Sequence, residues 1–201
     1  MILRSSLPSP FGRKVKIAAA VLGLSDRIEV VAADTNDESE ILRQQNPLGK
    51  IPTLVLSNGR TLFDSRVILE YLDHLAGGGR IVPRDADARF DALRLQALCD
   101  GILDASILQV YEARFRPEPI RYQPWLDYQT GKVARALASL EEKPPALDDL
   151  PDVGQITLAC ALGYQDLRFK GTWRASHPAL VAWLDRFAAQ VPAFAATKVE
   201  P

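Results

Sequence analysis

The first 76 residues switch between two hydrophobic periods. Ile2 to Ser5 is a short apolar opening, and Pro10 then starts a helix whose apolar positions, Val15, Ala18, Ala19 and Leu22, recur at helical spacing up to Gly23. Ile28 to Ala32 reads as a buried strand, Asp37 to Gln45 as a polar helix, and Thr53 to Leu56 as another β-rich run. Ser57-Asn58-Gly59-Arg60 separates that run from Thr61–Phe63, and an Asn-Gly pair between strand-like segments predicts an antiparallel hairpin. Ser65 opens a further helix, with Ile68, Tyr71, Leu72 and Leu75 at i, i+3, i+4, i+7 spacing before Gly77-Gly78-Gly79. The order βαβαββα is complete by residue 76.

From there on only the helical period remains. Gly77 to Arg84, with three glycines and Pro83, predicts a linker (77–84) between an N-terminal α/β unit (1–76) and an all-helical C-terminal unit (85–201). Leu95, Leu98, Ile102 and Ala105 mark one face of a long helix from Asp85 to Arg114, and Pro124 opens a second that lasts to Lys143. After the loop 144–151, Asp152 and Gln155 stand at capping-box spacing and start a helix to Phe169. That helix is apolar on most sides, through Ile156, Ala159, Cys160, Gly163 and Leu167, which predicts a place at the centre of the helical unit. A last helix starts at Pro178 and carries Leu180, Trp183, Leu184 and Phe187, and the tail from Val191 is expected to pack loosely.

Composition narrows the function classes. A chain of 201 residues with 47% hydrophobic positions can bury one large core or two small ones. Lys and Arg number 24 against 25 for Asp and Glu, so no net field favours nucleic acid or an anionic membrane surface. No signal-like start and no apolar run of spanning length are present, which leads to the expectation of a cytoplasmic protein. Cys99 and Cys160 lie far apart in helical stretches and read as buried small apolar residues, with no metal site and no disulfide. His74 and His177 read as helix-end or surface groups.

Three segments carry the candidate chemistry: Ser9-Pro10-Phe11, Gly49-Lys50-Ile51-Pro52 and Asp64-Ser65. Ile51-Pro52 precedes a strand, where proline cannot donate to a central ladder, so a turn or cis bond exposing main-chain groups is expected. Asp64-Ser65 lies at a helix start, whose free N–H groups and positive dipole end favour a carboxylate; a plain N-cap is the alternative. Ser9 also stands at a helix start, directly before Pro10, where an N-cap is again the simpler role.

Through SPFGRKV, NPLGKIPTL, FDSRVILEYLD, DVGQITLACALGY and HPALVAWLDRF the sequence resembles the soluble glutathione S-transferases, as a bacterial, serine-type member. The resemblance spans nearly the whole chain, with residues 106–145 the least diagnostic. It implies a thioredoxin-like first unit that holds glutathione as co-substrate, without another cofactor, and a helical unit that shapes the pocket for a small hydrophobic electrophile. In the family the proline of the second segment is cis, and the residue before it, here Ile51, pairs its main chain with the cysteinyl part of glutathione. Ser65 would then hold the γ-glutamyl carboxylate, Asp64 would face the γ-glutamyl ammonium, and Lys50 is a candidate for the glycyl carboxylate unless it is simply a solvated loop lysine.

Ser9 takes the position where thiol-disulfide relatives of this fold carry a cysteine. A hydroxyl cannot form a mixed disulfide, but it can donate a hydrogen bond to a bound thiolate. A free thiol has a pKa of about 8.5, and lowering it by about two units needs roughly 2.7 kcal/mol. A hydrogen bond to a charged group supplies about 1.5–3 kcal/mol and a helix N-terminus about 0.3–1. Ser9 is therefore the candidate catalytic residue, with Ser5 and Ser6 as rival hydroxyls. Arg13, Lys14 and Lys16 read as a solvated basic face, Arg13 being near enough to Ser9 to add positive potential. Phe11 is counted with Lys50, Ile51, Pro52, Asp64 and Ser65 as a glutathione-binding residue, and the electrophile pocket is expected between it and the long helix, with Tyr111 and Arg114 as candidate walls. The resemblance also implies a homodimer. A glutathione-dependent peroxidase and a non-catalytic binding module are the alternative functions.

Overall fold

The computed structural model describes residues 1–37 and 41–199. A four-stranded sheet has the order β2-β1-β3-β4. Strand β1 (Ile2–Ser5) runs parallel to β2 (Glu29–Ala32), with Leu3 opposite Val30, and antiparallel to β3 (Thr53–Val55), with Leu3 opposite Leu54. The hairpin read from Asn58-Gly59 is present: β4 (Thr61–Leu62) pairs antiparallel with β3, and Gly59 takes φ of +82°, which suits a residue without a side chain. Helix α1 (Pro10–Val21) follows β1, and α3 (Ser65–Leu75) packs against it.

Two expectations for this half need correction. The run 28–32 is not a buried strand. β2 is the sheet edge, and Val30 remains 51% exposed because among the described residues no further strand or helix covers it. The predicted polar helix 37–45 reduces to a single turn, α2 (Leu42–Gln45), in which only Leu42 is buried. Residues 38–40 of that expectation lie outside the described residues.

The second half consists of α4 (Ala86–Phe115), α5 (Gln123–Glu142), α6 (Val153–Phe169), α7 (Pro178–Gln190) and α8 (Pro192–Ala196). The capping box of α6 forms as its spacing predicts: Gln155 N–H donates to Asp152 Oδ1 at 2.8 Å, and Asp152 N–H donates to Gln155 Oε1 at 3.1 Å. Every residue from Val153 to Leu162 is buried, so α6 is the central helix, set between α4 and α1. Apolar residues of both halves, among them Leu3, Ile17, Leu72, Leu158 and Trp183, belong to one contiguous core. The connection between the halves is tightly held. The Asp73 carboxylate accepts from the N–H groups of Gly79, Arg80 and Ile81 at 2.7–2.8 Å, and Val153 N–H donates to Ile81 O at 2.9 Å.

From Val191 to Val199 the tail is not loose, as Phe194 of α8 stacks edge-on against Phe187 with ring centroids 5.6 Å apart; residues 200 and 201 of that expectation lie outside the described residues. The tail also covers Arg13, whose Cζ lies 4.1 Å from the Phe194 ring centre and whose Nη2 donates to Phe194 O at 2.5 Å. Nor do Arg13 and Lys14 form a solvated face: they are 9% and 0% exposed, because α3, α6 and α8 all pack on α1.

Candidate functional site

A cleft of about 690 Å³ opens where the start of α1, the loop before β3, the start of α3 and the C-terminal part of α4 meet. Ser9, Phe11, Lys50, Ile51, Pro52, Asp64, Ser65, Tyr111 and Arg114 all line it, so the residues singled out from three distant segments and from α4 face one space.

Ser9 is the N-cap of α1: its Oγ accepts from Gly12 N–H at 3.1 Å. That bond uses a lone pair and leaves the hydroxyl proton free to donate into the cleft. Of the rival hydroxyls, Ser6 also lines the cleft, whereas Ser5 is 1% exposed and lies beneath Gly12. A Cβ on Gly12 would stand 1.9 Å from Ser5 Oγ, so only glycine lets α1 start this close to β1.

The Ile51-Pro52 peptide is cis, and among the described residues nothing hydrogen-bonds to the Ile51 main chain. The loop is fixed from beneath by Asn46, which is 1% exposed. Asn46 Nδ2 donates to Lys50 O at 2.9 Å, and its Oδ1 accepts from Leu48 N–H at 3.0 Å. Asp64 caps α3 by accepting from Arg66 N–H at 3.0 Å. Ser65 Oγ donates to Asp64 Oδ1 at 3.2 Å and accepts from Lys14 Nζ at 3.3 Å.

Beneath Ser65 lies a buried ionic group. Lys14 Nζ reaches Asp100 Oδ1 at 2.6 Å, and Arg66 Nε reaches Asp100 Oδ2 at 2.8 Å, with Lys14 and Asp100 0% and 1% exposed. Helices α1, α3 and α4 thus share one carboxylate directly under the site. The hydrogen bond from Arg66 to Asp100 is also the main reason the Arg66 guanidinium is held above its usual pKa.

The cleft includes residues the sequence reading missed, notably Arg66, Asp104, Tyr164 and Arg168. Asp104 carries a carboxyl raised above the usual range, first by partial burial and then by the neighbouring Asp100 charge. A signal was present: Asp100 and Asp104 stand at i, i+4 on one helix face, an unfavourable like-charge spacing unless cations face it. One wall is apolar, where Tyr111 and Phe115 meet edge to face at 5.2 Å beside Phe11 and Ile107. Another is mixed, with Lys50, Arg66, Arg114 and Arg168 against Asp64 and Asp104. Cys99 and Cys160 are buried as expected, and burial pushes the Cys160 thiol up to about 11 and that of Cys99 higher still. Among the described residues no group of His, Cys, Asp and Glu is placed to hold a metal, and no helix is long and apolar enough to cross a membrane.

Residues 8–75 match the glutathione S-transferase N-terminal domain and residues 109–186 the glutathione S-transferase C-terminal domain. Among solved structures, a glutathione transferase family member from Pseudomonas fluorescens Pf-5 with bound glutathione is 41% identical at a TM-score of 0.90, over 100% of this chain and 98% of that one. A glutathione S-transferase from Methylobacterium radiotolerans, in complex with glutathione sulfonate, is 35% identical at a TM-score of 0.89, over 100% and 95%. An uncharacterized GST-like protein of Escherichia coli K12, YibF, is 32% identical over 185 residues, 90% of each chain. The chain belongs to the glutathione S-transferase family, with its thioredoxin-like first half and helical second half.

Proposed function

We propose that the protein is a serine-type glutathione transferase that ionises the glutathione thiol at Ser9 and adds it to a small electrophile held against the apolar wall of the cleft. The observation that carries this reading is the convergence on one cleft of a helix-capping hydroxyl with a proton to donate, an unpaired main chain at Ile51 and the start of α3. The Ile51 main chain pairs with the cysteinyl residue as one strand pairs with another. Ser65 and the first N–H groups of α3 receive the γ-glutamyl carboxylate, while Asp64 faces its ammonium. Lys50, exposed at the rim, meets the glycyl carboxylate.

In the reaction the S–H proton leaves to solvent, Ser9 Oγ–H donates to the resulting thiolate, and the sulfur forms a carbon–sulfur bond as the electrophile's leaving group departs or its activated double bond takes up the electron pair. Phe11, Tyr111 and Arg114 hold the electrophile near the sulfur, so catalysis consists of supplying thiolate and positioning its partner. Relatives crystallised with glutathione and glutathione sulfonate support the choice of thiol substrate. Turnover of activated aryl halides, enones and epoxides, with and without glutathione, tests the reading. Ser9→Ala lowers kcat with little change in KM for glutathione, whereas Ser65→Ala raises that KM; no glutathione-dependent product from any class overturns the proposal.

We also infer a two-fold dimer, supported by the exposed Val67 on α3 and Phe90 on α4, which are 48% and 70% accessible in the single chain. A light-scattering mass near the 22.1 kDa of one chain refutes it.

A further inference from the structure

A second cavity, of about 570 Å³, adjoins the cleft at Pro8, Ser9, Pro10 and Tyr164 and is otherwise bounded by α1, α6, α7 and α8. Its apolar lining comes from Pro8, Leu167, Leu184, Ala188 and Phe194, and Lys170 stands at its rim, at the C-terminal end of α6.

Arg13 is the unusual member of that lining. It is 9% exposed, yet no carboxylate is within ion-pair distance of it among the described residues, in contrast to Lys14 one position on, which is buried against Asp100. Its guanidinium makes two hydrogen bonds, Nε to Thr197 Oγ1 at 3.2 Å and Nη2 to Phe194 O, both to neutral acceptors. Nη1 lies where a Cβ on Gly163 would come within 2.6 Å, so the glycine of α6 leaves the space this group occupies. A buried charge ordinarily has a countercharge, and a guanidinium offers its N–H groups in a fork that fits a carboxylate. Arg174, a partly exposed cation of the same lining, is already neutralised, bound through two nitrogens to Asp166 at 2.7 and 2.9 Å.

We propose that this cavity is a binding site, separate from the glutathione cleft, for a small aromatic carboxylate whose charge is received by Arg13 and Lys170 and whose ring rests on Leu167, Leu184 and Phe194. The volume suits a ligand of one or two fused rings, and the walls combine a largely apolar surface with a few convergent polar groups. The site does not depend on the transferase reading, although its occupant would share the Ser9 segment as a wall.

Calorimetric titration of the full chain with 2-naphthoate, and with the neutral 2-naphthylmethanol, tests it. The expected result is one naphthoate per chain, with the alcohol weaker by about tenfold or more, the scale of losing a charge-assisted hydrogen bond. Arg13→Gln and Lys170→Glu each weaken naphthoate by a similar factor, and Ala188→Phe abolishes binding by filling the space. Arg114→Glu, in the cleft, leaves it unchanged. Because Arg13→Gln removes a buried group and can unfold the chain, the surface variant Lys170→Glu decides the matter. No binding, equal affinity for acid and alcohol, or loss of binding in Arg114→Glu with retention in Lys170→Glu overturns the proposal.

Discussion

Replacing Asp100 with alanine removes the carboxylate shared by Lys14 and Arg66. Lys14 is 0% exposed, and among the described residues its Nζ would keep only the Ser65 hydroxyl, 3.3 Å away, as a hydrogen-bond partner. Arg66 is half exposed, so water takes over its share and most of the loss falls on Lys14. Leaving one member of a buried pair uncompensated costs about 3–5 kcal/mol. For a chain of this length each kcal/mol moves Tm by about 2–4 °C, so Asp100→Ala should lower Tm by about 6–20 °C. The double variant Lys14→Met with Asp100→Leu removes both buried charges and keeps most of the volume, and it should recover most of that loss, since an apolar replacement of a buried pair is commonly neutral or better. Urea and thermal unfolding of the two variants measure this. A single variant within about 1 kcal/mol of the parent, or a double variant no better than the single, would refute the assignment of the buried charges as a coupled unit.

Gly12→Ala should destabilise by about 1–3 kcal/mol, because its Cβ would stand 1.9 Å from Ser5 Oγ. Adding Ser5→Ala leaves the nearest contact at 3.2 Å, to the Ser5 Cβ, so unfolding curves should show a partial rescue. Asp104→Asn should raise stability slightly at neutral pH. The raised carboxyl penalises the folded state wherever it is ionised in both states, so the advantage is full above its folded pKa and vanishes below about 3.9, where both states are protonated. A Tm difference that persists unchanged into strong acid would contradict that cause.

Features decided within a few residues were legible in the sequence. Asn58-Gly59 specified the hairpin, Asp152 with Gln155 the start of α6, and Pro10 the start of α1, because each is a local hydrogen-bonding or dihedral requirement. What was not legible depends on partners far along the chain. The edge position of β2 follows from strand order, which an apolar run does not encode. Lys14 read as solvated because its partner Asp100 is 86 residues away, and the tail read as loose because Phe194 packs on Arg13, 181 residues distant. The same holds in the cleft. The three N-terminal segments were marked by cap and proline signals and joined into one site by the family resemblance, while Arg66, Asp104, Tyr164 and Arg168 enter the cleft only through the packing of α3 and α6 on α1 and of α4 on α6.

The thiol pKa of glutathione bound to the protein, read from thiolate ultraviolet absorbance in the parent and in Ser9→Ala, bears most directly on how the cleft works. The hydroxyl and helix terminus together should place it about two units below the free value of about 8.5, and Ser9→Ala should return it most of the way, with a loss of about 1 kcal/mol of stability from the missing cap. A bound thiol that titrates at its free value in the parent, or one equally acidic in Ser9→Ala, would contradict the account.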